Sequence, residues 1–352
     1  MAQSIVYKFI ILQVLRTAFA TPARGLLWGL ICARFPLLPL ISLRYNPPPV
    51  TPTAALDLVW AGHPRSIASA LLRSEGFNAL VDPGPGSTLG TLREQLARHG
   101  LHISDLDAIL LTHIHLDHAG ATGSLVQENP RLRVFVHSRG ATHMADPSKL
   151  LGSASRLYGE EMQRLYGEFL AVPQANLYAL EGGEVLSLGT RQLQVLYTPG
   201  HASHHVTYFD AAESIAFVGD TTGISIEGHS FVLPATPPPD VSLELWDASL
   251  DAIAGLYPQR LFLTHFSFAN DPERHIHTFR EILHRWSDLV GKLLAASSDE
   301  TEAMRAFARE VGRDAAQSLT PDEISHYLFN GALHFSWQGL ARYHRKREAP
   351  AA

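Results

Sequence analysis

Two successive sets of short apolar runs, amphipathic stretches beside each set, and a purely helical pattern after Pro272 predict a layered α/β sandwich with an extra C-terminal helical segment. The first set follows the Pro-rich stretch Pro47-Pro48-Pro49-Val50-Thr51-Pro52, whose composition favours an extended linker. Residues 56–61, 67–72 and 78–81 read as consecutive strands, the third running into Asp82-Pro83-Gly84-Pro85-Gly86. Residues 88–99 set Leu89, Leu92 and Leu96 among charges and close at Gly100, the pattern of an amphipathic helix. Ala108-Ile109-Leu110-Leu111-Thr112 is a continuous apolar run, expected for a strand buried on both faces. Residues 133–137 read as another strand, and residues 147–170 as one or two helices carrying Leu150, Leu151, Leu157, Met162, Leu165 and Phe169. The second strand set is residues 184–188, 192–198, 206–209, 215–218 and 261–264. Helical patterning then covers residues 276–294, 301–311 and 321–343.

The expected division is an extension over residues 1–53, a catalytic domain over residues 54–271 and a helical segment over residues 272–352. Residues 1–56 contain Lys8, Arg16, Arg24, Arg34 and Arg44 but no acidic residue. Their apolar runs are broken by Arg or Pro well short of the roughly 20 residues a membrane-spanning helix needs, so no stable span is expected. A cytoplasmic location is expected; the alternative is organelle targeting or export, if the Arg-rich segment, with Ala18-Phe19-Ala20 as a cleavage region, acts as an address.

A formal charge of −6 gives no cationic field for phosphate contacts, which excludes nucleic acid as the expected partner and leaves a small-molecule substrate. Cys32 is the only cysteine, so no intramolecular disulfide forms and any metal site must use nitrogen and oxygen ligands.

The chemistry concentrates in Thr112-His113-Ile114-His115-Leu116-Asp117-His118-Ala119-Gly120, where four ligand-competent side chains fall within six positions directly after a buried strand. On such a loop His113 and His115 can face one point while Asp117 and His118 face a second, so one loop can serve two metals. Imidazole with carboxylate suits zinc, with iron or manganese as alternatives, at about 2.0–2.2 Å from each ligand atom for zinc. Three later apolar strands also end on metal-competent residues: Leu196-Tyr197-Thr198-Pro199-Gly200-His201, Ala216-Phe217-Val218-Gly219-Asp220 and Leu261-Phe262-Leu263-Thr264-His265. A sandwich that brings strand ends to one rim would converge all of them.

The order His-x-His-x-Asp-His, then His, Asp and His resembles the signature of metallo-β-lactamase-fold hydrolases over roughly residues 56–270. That resemblance implies a four-layer αββα sandwich. It implies that His113, His115 and His201 hold one metal, that Asp117, His118 and His265 hold the other, and that Asp220 bridges both. Thr198-Pro199-Gly200-His201-Ala202-Ser203-His204-His205 resembles the glyoxalase II-like branch, in which the counterpart of His205 lies near the metals without ligating. Asp220 stands where lactamases proper commonly have Cys, and His115 where flavodiiron proteins commonly have Glu. Nucleases of this fold carry an added domain or RNA-grasping arm, and no basic insert of that size separates Asp220 from His265.

The expected reaction is hydrolysis of an ester, thioester or lactone by a hydroxide shared between two divalent metals, with Asp117 and Asp220 as catalytic carboxylates. The alternatives are a single-iron sulfur dioxygenase of the same superfamily and a non-catalytic metal-binding protein. Candidates to face the substrate or to stand behind the metal ligands are His205, His143, Tyr158, Tyr166 and Phe231, with the Pro-rich residues 234–240 stiff enough to shape a rim. The basic residues that bind glutathione in true glyoxalase II have no assignable counterpart in the tail. The helical tail is expected to cover the site entrance or to form a homodimer contact.

Overall fold

Alternation along the strands builds the layers of this protein, whose computed structural model describes residues 51–226 and 229–348. The first sheet contains, in spatial order, β1 (Thr51–Asp57), β2 (Ala68–Ser74), β3 (Phe77–Val81), β4 (Ala108–Leu110), β5 (Arg133–His137) and β6 (Leu177–Leu180). The second contains β7 (Val185–Leu188), β8 (Arg191–Tyr197), β9 (Val206–Asp210), β10 (Ile215–Gly219), β11 (Arg260–Leu263) and β12 (Ser267–Ala269). Strands β3 to β6 pair in parallel, as do β10 and β11, and the remaining pairings are antiparallel. Ala68, Ala70, Ala79, Val81, Ala108 and Leu110 from one sheet meet Tyr208, Ile215, Phe217 and Phe262 from the other in a shared core. Their alternate neighbours, such as Leu71, Leu80 and Ile109, face the opposite way, because successive strand side chains point to opposite faces.

Those outward faces must be covered. Over the first sheet lie α1 (Leu89–Arg98), α2 (Leu116–Ala119), α3 (Thr122–Glu128), α4 (Ser138–Ala145), α5 (Ser148–Tyr158) and α6 (Glu161–Tyr166). Over the second lie α7 (Leu243–Ala254), α8 (Pro272–Ala296), α9 (Glu300–Ala315), α10 (Pro321–Asn330) and α11 (Leu333–Glu348). The result is the αββα sandwich with added C-terminal helices.

Those last four helices share the second sheet's outer core. Ile276, Phe279, Leu283, Trp286 and Val290 recur at helical spacing along α8 and pack with Phe307, Trp337 and Leu340 against Val218, Leu261 and Leu263. Their starts are chemically marked: Asp271 and Asp299 cap α8 and α9 by accepting backbone N–H groups, and Thr320 with Glu323 forms a capping box ahead of α10.

The two sheets are also clamped at their edge by Arg191, which is 1% exposed. Its guanidinium donates to Asp210, to Glu213 at 2.6 Å, to the Thr51 carbonyl and to the Arg73 carbonyl at 3.0 Å. Burial of a charge is tolerated here because two carboxylates and two carbonyls accept from the guanidinium.

Several boundaries differ from the sequence reading. Strand β1 starts at Thr51, inside the stretch read as linker, and stops at Asp57 because Val59 and Ala61 take φ of 48° and 49°. Residues 147–170 form two helices, α5 and α6, ending at Tyr166. Residues 321–343 split into α10 and α11 at Gly331, where Leu233 and Ile224 occupy the space a side chain would need. Strands β6 and β12 are too short and too weakly patterned to be read from sequence; only pairing with β5 and β11 makes them strands. The basic N-terminal segment up to residue 50, including Cys32, lies outside the described residues. Among the described residues no helix is long and apolar enough to cross a membrane.

Candidate metal centre

Every candidate ligand sits where a strand ends. β4 runs through Leu111 and Thr112 into His113 and His115, and α2 then turns Asp117 and His118 toward the same rim. β8 delivers His201, β10 delivers Asp220 and β11 delivers His265. Two backbone hydrogen bonds join the sheets at this rim: Val206 N donates to Thr112 O and Ala68 N to Thr264 O, both at 2.8 Å. Asp220 follows Gly219, whose φ is +48°, and a Cβ at Gly219 would press on Thr112 Oγ1 and His205 Nε2. Glycine is required there.

The donor atoms form two groups, each with its members within 4.8 Å of one another: His113, His115, His201 and Asp220, and Asp117, His118 and His265. In the first group His115 Nδ1 lies 2.9 Å from both His113 Nε2 and His201 Nε2, and Asp220 Oδ2 lies 3.5 Å from His201 Nε2. In the second, Asp117 Oδ2 lies 3.3 Å from His265 Nε2 and 3.9 Å from His118 Nε2. The other oxygen of Asp220, Oδ1, points at this second group, 3.2 Å from His118 Nε2 and 3.8 Å from His265 Nε2. One carboxylate therefore faces both groups.

The inward atoms are free to ligate because the outward ones are occupied. His201 Nδ1 donates to the Ala235 carbonyl at 2.9 Å, His265 Nδ1 to the Ser66 carbonyl at 2.8 Å and His118 Nδ1 to Asp82 Oδ2 at 2.8 Å. Each acceptor cannot donate in return, so a proton stays on Nδ1 and Nε2 faces the centre. Burial lowers His118 and His265, but Asp220 and Asp117 outweigh it and raise both, so a cation would take the place of a proton on each of these two Nε2 atoms. His113 Nδ1 donates to Thr112 Oγ1, which itself donates to Asp82 Oδ2 at 2.7 Å. Asp82 is fully buried and also accepts from Thr112 N and Thr264 Oγ1. It thereby ties together three of the strand ends.

The donor set fits divalent cations. His118 Nε2 and Asp220 Oδ1, though 3.2 Å apart, are buried and make no well-directed hydrogen bond to each other or to another group, an expensive state unless a proton or a cation lies between them. Burial, reinforced by the other histidines, pushes His113 far down and His115 to about 3, leaving both neutral and able to donate lone pairs. Burial pushes Asp117 up, but His118 and His265 outweigh it and hold the carboxyl at about 2. Asp220 is likewise held well below its ordinary value, against burial, by His118, His201 and His265. Both carboxylates are ionised at neutral pH.

Residues 63–265 match the model of the Metallo-beta-lactamase superfamily. The chain belongs to that superfamily. It is 30% identical over 167 residues to a metallo-beta-lactamase fold-containing protein of Sulfurisphaera tokodaii, covering 47% of this chain and 59% of the relative. It is 32% identical over 132 residues to a hydroxyacylglutathione hydrolase of Maricaulis maris, covering 33% of this chain and 48% of the relative. The chain thus spans about half the length of these curated relatives. A metallo-beta-lactamase family protein from Thermus thermophilus superposes with a TM-score of 0.64 at 25% identity, covering 84% of this chain and 94% of that one.

The metallo-beta-lactamase rim opens into a cavity of about 830 Å³, lined at its base by His115, Asp117, His201, Asp220 and His265. Of the residues expected to face substrate, His143, Tyr158 and Tyr166 line it. His205 does not. It stacks behind His113, ring centroids 5.0 Å apart, with its Nδ1 beside the Thr198 and Thr221 hydroxyls. Phe231 is a correction to the sequence reading: it is buried in the second sheet's outer core, edge-on to Tyr327, because the chain turns inward there to cover α10.

Sequence reasoning missed Asp82, His204, and the orienting carbonyls of Ser66 and Ala235. Asp82 carried a signal, since it follows an apolar strand as Asp220 does. His204 lines the cavity, and burial lowers it to about 4. The carbonyls carry none, because every residue has one. The Pro-rich rim does flank the cavity through residues 235–240, and it also supplies the acceptor for His201.

Proposed function

We propose that this protein is a metal-dependent hydrolase of a small-molecule ester, thioester or lactone, with His113, His115, His201 and Asp220 holding one divalent cation and Asp117, His118, His265 and Asp220 the other. The observation that carries this reading is the disposition of Asp220, whose two oxygens face two separate donor groups, one of them meeting a buried histidine nitrogen that has no other partner. Zinc suits four-to-five nitrogen and oxygen donors with an open position, while iron and manganese accept the same set. When bound, such cations lower the pKa of a water toward neutrality and polarise a carbonyl.

The chain's own groups do the rest. Asp117 is the more accessible carboxylate, with 20% of its side chain exposed against 6% for Asp220. It lines the cavity, so it is placed to accept a hydrogen bond from the attacking water and to pass that proton to the leaving oxygen or sulfur. Asp220 instead stays fixed as the shared carboxylate. Neutral His204 beside His115 adds no competing positive charge to the mouth.

The experiment is metal analysis of the purified protein followed by an ester, thioester, lactone and phosphoester panel. Two equivalents of metal and oxygen-independent cleavage of acyl substrates are expected. One iron with oxygen uptake, or no turnover with full loading, would overturn the assignment.

A further inference from the structure

Above the donor atoms the cavity is walled by a chain of aromatic rings drawn from distant parts of the sequence. Phe329 lies 5.0 Å from Trp60, Trp60 5.7 Å from Tyr166, Tyr166 4.7 Å from Tyr158 and Tyr158 5.0 Å from Phe335, measured between ring centroids. All five line the cavity. Trp60, whose indole N–H donates to the Leu165 carbonyl at 2.6 Å, and Tyr166 are themselves buried and back the wall, while Tyr158, Phe329 and Phe335 keep open surface. Phe329 and Phe335 come from the junction of α10 and α11, the segment that Gly331 allows to approach so closely. Phe329 and Phe335 are only partly buried, unlike the fully packed Trp337 of the same segment, so open cavity surface remains to be covered.

A cavity of about 830 Å³ is far larger than an acetyl group needs and matches a drug-sized ligand. Apolar wall area of this kind gains energy only when a ligand removes it from water. We propose that this wall is the seat of a large apolar group, an extended alkyl or aryl moiety, on the acyl side of the substrate, and that Phe329 and Phe335 of the C-terminal helices set the preference for it. The bond cleaved rests on the hydrolase reading above, whereas the binding of the apolar group does not. In the reaction water's oxygen bonds to the acyl carbon, the bond from that carbon to the leaving oxygen or sulfur breaks, and water's proton goes to the leaving group.

Two measurements on metal-loaded full-length protein test this. Straight-chain methyl ketones from 2-butanone to 2-decanone are titrated calorimetrically, and p-nitrophenyl esters from acetate to octanoate are assayed for kcat/KM. Both affinity and kcat/KM should rise by up to roughly fourfold per methylene until the cavity is full. Phe329→Ser and Phe335→Ser should flatten both series, while Phe329→Leu, which keeps the hydrocarbon, should preserve the slope. Turnover of acetate with no dependence on chain length, or an unaltered slope in both serine variants, would overturn the apolar seat and leave the hydrolase standing. Ketone affinity that climbs with chain length while no ester is cleaved would keep the seat and overturn the hydrolase.

Discussion

Replacing Asp82 by Asn tests whether a residue that touches no candidate cation nevertheless governs one of the two groups. Four donors converge on its carboxylate: Thr112 N on Oδ1 at 2.8 Å, and Thr112 Oγ1, Thr264 Oγ1 and His118 Nδ1 on Oδ2 at 2.7, 2.9 and 2.8 Å. Asparagine keeps the shape and, with its oxygen toward Thr112 N, leaves an amide NH₂ facing the other three. The two hydroxyls can rotate to accept. His118 cannot do so without moving its proton to Nε2, the atom that faces Asp220 Oδ1 at 3.2 Å. Either the buried N–H is left opposing an N–H, at a cost of about 1.5–3 kcal/mol for a lost charge-assisted hydrogen bond, or the Nε2 lone pair disappears. Both outcomes should weaken the group of Asp117, His118 and His265 by roughly 10- to 100-fold, the range typical of orienting partners, while the group of His113, His115 and His201 keeps its affinity. Stepwise zinc titration against a competing chelator, with circular dichroism to confirm folding, reads this directly. Two equivalents bound by Asp82→Asn as tightly as by the parent would refute the reasoning, and a parent binding only one equivalent would refute the two-cation reading first.

Other outcomes follow from the same structure. His201→Ala or Asp220→Ala should lower metal content and turnover together, measured by elemental analysis and ester assay; turnover without metal would sink the proposed chemistry. Arg191→Met should strip Asp210 and Glu213 of their shared guanidinium, leaving Glu213 only Thr53 and Arg260 and Asp210 only backbone N–H groups, a loss of about 3–5 kcal/mol visible as a fall in Tm, since breaking a buried pair leaves a charge poorly compensated. Burial raises Glu213, but hydrogen bonds from Thr53 and Arg191 outweigh it and hold its pKa below the ordinary 4.5. Its stabilising contribution is therefore complete above pH 4.5 and is lost as the pH falls through the lowered folded value, so Glu213→Gln should reduce the dependence of denaturation midpoint on pH in that acidic window. Phe231→Ala should cost about 3–5 kcal/mol in stability while leaving KM alone, because the ring fills the core and not the cavity.

The candidate ligand set is legible in linear order because strands are apolar runs and the rim is whatever follows them. A run of apolar residues and a polar residue at its end survive in the sequence regardless of what packs nearby. That is why β5 is read with its observed bounds and why His113, His115, Asp117, His118, His201, Asp220 and His265 stand out before any coordinates are considered. The division of the strands into two sets follows from the same apolar runs.

Other features exist only through distant contacts. β6 and β12 depend on pairing with β5 and β11, and the end of β1 depends on left-handed residues at Val59 and Ala61 that no hydrophobic pattern encodes. Asp82 reaches importance by lying 2.9 Å from Thr264, 182 positions away, and Ala235 by offering an ordinary carbonyl to His201. The aromatic wall joins Trp60 to Phe329 across most of the chain. A local sequence signal records which chemistry a residue can perform, but hydrogen-bond direction and cavity shape are properties of atoms brought together by packing. Tertiary structure therefore decided which lone pairs point inward and which hydrocarbon the substrate would meet.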